Sequence, residues 1–185
     1  MRALLLLLTM ALPANAAPAA YVLEPADFSV RFETNFGSDT ITGKMPVLRA
    51  DLLLDFQRLS ASKVAVTLDS AHATASFPFA AQAMKGPKVL DSDVFPQISF
   101  VSNSVTAKGD GAEVKGSVTI RGVTKPMVMQ AIIWRQKGHA SGDLSRLTIR
   151  LTGVVNRSDF GAVGWSDMVG DQVRLDILAR IARSD

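Results

Sequence analysis

GSVTIRGVTKPMVM, residues 116–129, decides how the chain folds. Val118 and Ile120 alternate with Ser117 and Thr119, the period-two pattern of a strand that is half buried. A second apolar run follows at once, so two strands meet through RGVTKP. Gly122 can take a backbone angle that other residues avoid, and Pro126 lacks the N–H that a central strand would use. RGVTKP is therefore expected to be the turn of a β-hairpin, with the second strand starting near Pro126.

The same alternation extends in both directions. Phe28, Val30 and Phe32 alternate with Ser29, Arg31 and Glu33; Leu48, Ala50, Leu52, Leu54 and Phe56 form one row, and Val64, Val66 and Leu68 another. Ile98 and Phe100 open a strand after FPQ. Val114, Gly116, Val118 and Ile120 share a face, as do Leu147, Ile149, Leu151, Gly153 and Val155, and Val173, Leu175, Ile177, Ala179 and Ile181. The segments predict eight to ten strands. Turn signals between them (NFGSD, AKGDGA, QKGHASGD, NRSDFG) and the lack of long helical periods favour an antiparallel sandwich or barrel over βαβ units. One short helix is expected in SFPFAAQAMKGPK, over 80–84, ended by Gly86-Pro87. KPMVMQAIIW is apolar on both faces, as in a strand covered on both. Its Val128, Ile132 and Trp134 are expected to face inward. Met127, Met129, Ala131 and Ile133 should then face outward, under the helix or a second subunit.

The chain has 185 residues, 20 basic and 17 acidic, and no cysteine. MRALLLLLTMALPANA has a charged start, a short apolar run and a small-residue end, so residues 1–16 read as a cleaved secretory leader and 17–185 as one exported domain. No other stretch approaches about 18 continuous apolar residues. An exported chain without cysteine must be held by its core alone. The charge balance has no basic stripe, which argues against nucleic acid as a partner.

Catalytic chemistry is scarce. His139 sits in a polar loop. His72 could meet Asp69 or a serine, but no nucleophile elbow accompanies it. No metal-ligand spacing is present, and Asp91 and Asp93 lack the remainder of a calcium loop, so no cofactor or metal is expected. The triplet Asp159-Phe160-Gly161 has no kinase context. It reads as a turn in which Asn156, Ser158 and Asp159 bond nearby backbone and Gly161 takes a positive φ. The chain does not read as an enzyme.

Together these stretches resemble the YceI-like family of bacterial periplasmic proteins. GSVTIRGVTKPMVM is similar to its central hairpin, VVNRSDFG to its Asn-Arg-x-Asp-Phe-Gly turn, LEPADFSVRFETNF to its first strands, KGPKVLDSDVFPQISF to its middle block, and VGDQVRLDILARI to its closing strand. The resemblance covers most of residues 21–183. It implies an all-β fold, an extended eight-stranded antiparallel barrel, lipocalin-like, with one short helix. It also implies a long apolar channel for a polyisoprenoid or other lipid. Family members are often dimeric, which makes a homodimer an expected partner. No catalytic residue defines the family. Asp27 stands where its commoner pattern has His, and Val89 where Trp is usual.

The resulting expectation is a periplasmic carrier of a long-chain apolar ligand: a polyisoprenoid, an isoprenoid quinone precursor or a fatty acyl compound. The lining is expected from Phe28, Val30, Phe32, Phe100, Trp134, Ile149, Leu151 and Leu175. Phe77, Phe79 and Met84 on the helix, with Phe160 and Trp165 near the RSDFG turn, are expected at the ends. The alternative is an envelope structural or stress-related interaction module whose barrel is filled by side chains and holds no ligand.

Overall fold

The computed structural model describes residues 17–25, 28–135, 138, 140 and 142–184. The expected leader, Asp27 and His139 lie outside the described residues. The strands are β1 (Ala19–Glu24), β2 (Ser29–Phe36), β3 (Asp39–Leu54), β4 (Lys63–Asp69), β5 (Thr74–Ala75), β6 (Gln97–Lys108), β7 (Gly111–Ile120), β8 (Val123–Arg135), β9 (Arg146–Asn156) and β10 (Val169–Arg183). One helix, α1 (Pro78–Lys85), lies between β5 and β6, and short 3₁₀ turns occupy Leu59–Ala61 and Arg157–Phe160.

Eight strands run β10-β2-β3-β4-β6-β7-β8-β9, every pair antiparallel, and β9 pairs back onto β10 from Gln172↔Asn156 to Ala182↔Arg146. The sheet is a closed barrel, so its ring has no free edge. β1 extends the position of β2: Tyr21 lies opposite Leu52 of β3 on one side and Arg183 of β10 on the other. The long β3 is therefore flanked by β2 over its first half and by β1 over its last residues.

Inner positions are apolar and outer positions mostly polar. Outside, Arg150 makes a two-pronged pair with Asp176 at 2.8 and 2.6 Å, and Arg174 meets Glu33 at 2.7 Å. Two rows differ from the sequence reading. Leu48 is exposed and Val47 points inward, because a bulge between Val47 and Arg49 shifts the phase of β3 by one residue. In β8 the two faces are exchanged. Met127, Met129 and Ala131 are buried, whereas Val128, Ile132 and Trp134 are nearly half exposed.

The turn fixes the true phase. It consists of Arg121 and Gly122 alone, both with positive φ (50° and 73°), the two-residue geometry whose twist suits a hairpin. Inward Val114 then lies opposite Met129 and inward Gly116 opposite Met127. Directly opposed residues share a face, so Met129 and Met127 point inward with Val114 and Gly116. Pro126 sits within β8, paired with Ser117, before the β8–β9 register begins at Met129. Its missing N–H therefore falls where the strand is an edge.

The same hairpin fastens the end of the barrel. The β2–β3 hairpin, the long β4–β6 connection with α1, the β7–β8 hairpin and the β9–β10 connection all lie at this end. Arg121 Nη1 donates to the carbonyls of Pro87 (2.7 Å) and Val89 (2.9 Å), just beyond α1. The Gly164 N–H donates to the Lys88 carbonyl at 2.8 Å, and the Lys88 ammonium lies 5.9 Å from the Trp165 ring centre. Asparagine tolerates the left-handed backbone but cannot make this reach. Arg121→Asn should lower stability by about 1–2 kcal/mol in denaturant titration and speed amide exchange in residues 86–91; unchanged exchange there would contradict the clasp.

Candidate ligand channel

The inner rows do not meet at the axis. They enclose a cavity of about 570 Å³ running from α1 toward the opposite end of the barrel. Phe28, Val30 and Phe32 reach it from the start of the β2 position, Phe100 from β6, Ile149 and Leu151 from β9, and Leu175 from β10. Phe77, Phe79 and Met84 line it from α1 and its N-terminal flank, and Phe160 and Trp165 from the β9–β10 connection. Twelve of the thirteen residues expected at a site are thus on the wall. Trp134 is not: it lies opposite Thr148 on the outer face, 45% exposed. Met127, Met129 and Ile133, expected outside, take inner positions instead.

The wall is almost wholly hydrocarbon. Apart from the Trp165 indole, its polar side chains are Thr34, Ser62 and Arg157. Each is already engaged with the protein. The Thr34 hydroxyl faces the carbonyls of Gly170 (3.1 Å) and Gln172 (2.9 Å), and Ser62 Oγ accepts the Asp55 N–H at 2.9 Å. Arg157, only 8% exposed, donates to four carbonyls: Ala162 (2.6 Å), Gly164 (2.8 Å), Val169 (2.9 Å) and Gly170 (3.0 Å). A buried guanidinium needs its donors met, and here the connecting loop wraps around it to meet them. The Asn-Arg-Ser-Asp-Phe-Gly turn is therefore organised by Arg157, not by Asn156 or Asp159 as the sequence suggests. Ser158 bonds the Asp171 carboxylate through both its N–H and its hydroxyl, and Gly161 takes the positive φ expected of it.

Two inward glycines set the bore. Phe32 lies over Gly43 and Phe100 over Gly116, each ring resting where a Cβ would otherwise project. Large side chains thereby lie against the wall and leave the axis open. His72 Nδ1 sits 2.7 Å from Asp69 Oδ2, as its sequence neighbourhood allowed, but the imidazole is largely exposed and is not among the lining residues. Desolvation works to raise the Asp69 carboxyl, but bonds from the His72 side chain, the His72 N–H and the Ala71 N–H, with the attraction of the imidazole, together outweigh it and leave the group below its usual range. Among the described residues no group of three or more acidic or histidine side chains could hold a metal ion.

A domain model described as YceI-like matches residues 21–181. The chain belongs to the YceI-like family. A UPF0312 protein of Vibrio vulnificus is 32% identical over 130 residues, which span 68% of this chain and 69% of that protein. A UPF0312 protein of Shewanella oneidensis is 30% identical over 123 residues, 64% of each. Among solved structures, Burkholderia cenocepacia BcnA superposes with a TM-score of 0.74 at 18% identity, over 87% of this chain and 99% of that one. A polyisoprenoid binding domain from Saccharophagus degradans, implicated in plant cell wall breakdown, gives 0.63 at 10% identity, over 90% and 99%. These two likenesses show the fold of the YceI-like barrel.

In this member of the family, the seat under Phe100 can be tested directly. Gly116→Ala brings a methyl against both the ring and the Val101 carbonyl, and the carbonyl side cannot yield. Overpacking of this kind should cost about 2–3 kcal/mol, read from the urea midpoint; an unaltered midpoint would mean the ring is not seated there.

Proposed function

We propose that the protein is a periplasmic carrier holding a single long apolar chain, isoprenoid or fatty acyl, inside the barrel. One observation carries the reading: a cavity of about 570 Å³ whose wall is hydrocarbon and whose few polar groups are already bonded to the protein. Such a wall recognises a ligand by length and bore rather than by charge. The fold likeness to a domain described as polyisoprenoid binding supports an isoprenoid class. The leader-like residues 1–16 support export.

Magnitudes agree. About ten buried methylenes gain about 8 kcal/mol, which the lost freedom of association can largely cancel. A retained ligand must therefore fill much of the channel. A cavity of this size favours the carrier over a barrel filled by its own side chains. A pairing surface for a second copy, if formed on β8, would use Val128, Ile132 and Trp134 in place of the methionines.

Purified from a bacterial host and extracted with organic solvent, the protein should release a long-chain lipid detectable by mass spectrometry. A protein that carries none and takes up no long-chain probe would sink the carrier reading. Ile149→Trp separates it further from the filled barrel. It should still fold, with stability changed by no more than about 1–2 kcal/mol, while losing probe uptake; unfolding would favour a filled core.

A further inference from the structure

Strong exposure on the channel wall is confined to one end. Of the residues on its wall, only Phe77, Phe79 and Met168 are strongly exposed, at 46%, 72% and 47%, and all three lie at the α1 end. The opposite end is built differently. Leu54, Phe56 and Ile181 face the cavity there, and packed behind them in the same cluster are Tyr21 and Leu147, 4% and 0% exposed, which are not themselves on its wall. The Phe56 ring meets the Tyr21 ring edge-on, with centroids 5.8 Å apart at 89°. The buried Tyr21 hydroxyl donates to the Leu144 carbonyl at 2.9 Å, which ties β1 to the segment before β9.

The turn beneath Phe56 is equally fixed. Asp55 Oδ1 accepts the N–H groups of Gln57 (3.0 Å) and Arg58 (2.8 Å), while the Asp55 N–H donates to Ser62. A buried carboxylate, 6% exposed, thus locks residues 55–62 across the end of the barrel. An aromatic ring held from behind and beneath by satisfied polar groups is a rigid stop.

We infer that the channel is a blind tube that takes in a chain of about twenty carbons whole, with Phe56, backed by Tyr21, as the residue that sets this limit. The inference rests on the carrier reading. The capacity follows from scale: a dry apolar cavity of about 150 Å³ accommodates benzene, and this one, at about 570 Å³, is nearly four times larger. The fitting class is a fatty acyl chain of ordinary length or an isoprenoid of about four units. The polar head stays at the mouth, because the floor offers a head group no unengaged partner. A longer polyprenyl chain leaves its excess outside, against Phe77, Phe79 and Met168.

The test uses saturated fatty acids of about ten to about thirty carbons as probes, measured by displacement of a fluorescent fatty acid from the full-length mature chain. Affinity should climb with each methylene and level off near about twenty carbons. In Phe56→Ala the break should move to chains longer by about four to six carbons. In Leu54→Phe, which adds bulk at the same floor, it should move to shorter ones, so that one variant can speak if the other does not fold. Affinity rising through the whole series, or a break left in place by both folded variants, overturns the ruler but leaves the carrier intact. No uptake at any length overturns both.

Discussion

Pairing of β9 with β10 along nearly the full length of both strands is the constraint on which the rest depends. It turns an open sheet into a ring, and in a ring every inward position must face every other. Eight strands leave an interior that side chains can just fill. Whether they do depends on where bulk is placed. Glycines under Phe32 and Phe100 let the largest rings lie along the wall, and a hydrocarbon space remains along the axis.

The two ends of that space are finished by different means. At the α1 end, arginines hold loops by their carbonyls: Arg121 fixes the segment after the helix, and Arg157 gathers the β9–β10 connection. Neither arginine has a carboxylate partner among the described bonds, so both act as multi-donor hubs for backbone. At the far end, β1 completes the wall and its Tyr21 backs an aromatic floor. The strongly exposed apolar residues of the channel wall all lie at the first end, and at the second the wall residues are buried or half-buried. An asymmetric tube of this kind gives an amphipathic chain one favourable orientation, tail inward.

Much of the fold was legible in the sequence because period-two alternation reports directly which residues face the core. The rows of β2, β4, β6, β7, β9 and β10 follow the reading, and α1 falls where its composition placed it. The failures have specific causes. Leu48 was misplaced because a bulge leaves no mark in hydropathy. The faces of β8 were exchanged because both are apolar, so periodicity alone does not say which one is inner. The information was present: Arg-Gly is a two-residue turn, and its arithmetic sets Met127 and Met129 opposite inward Gly116 and Val114. An apolar run that alternates on neither face could not correct the error by itself. The roles of Arg121 and Arg157 were invisible, since the partners of Arg121 are carbonyls more than thirty residues away in sequence and those of Arg157 are spread along a loop. Trp134 entered the expected site only through the reversed phase of β8.

The proposed tube is open at α1, closed at Phe56, and holds a chain with its tail inward. Fluorescence quenching by spin-labelled fatty acids tests it most directly. The chain has two tryptophans, and Trp134→Phe leaves only Trp165, on the channel wall beside Met168 at the mouth. A nitroxide near the carboxylate should quench Trp165 strongly, and one near the methyl end weakly, because that end lies toward the floor. Equal quenching by the two labels, or stronger quenching from the methyl end, would contradict a one-mouthed channel filled tail first.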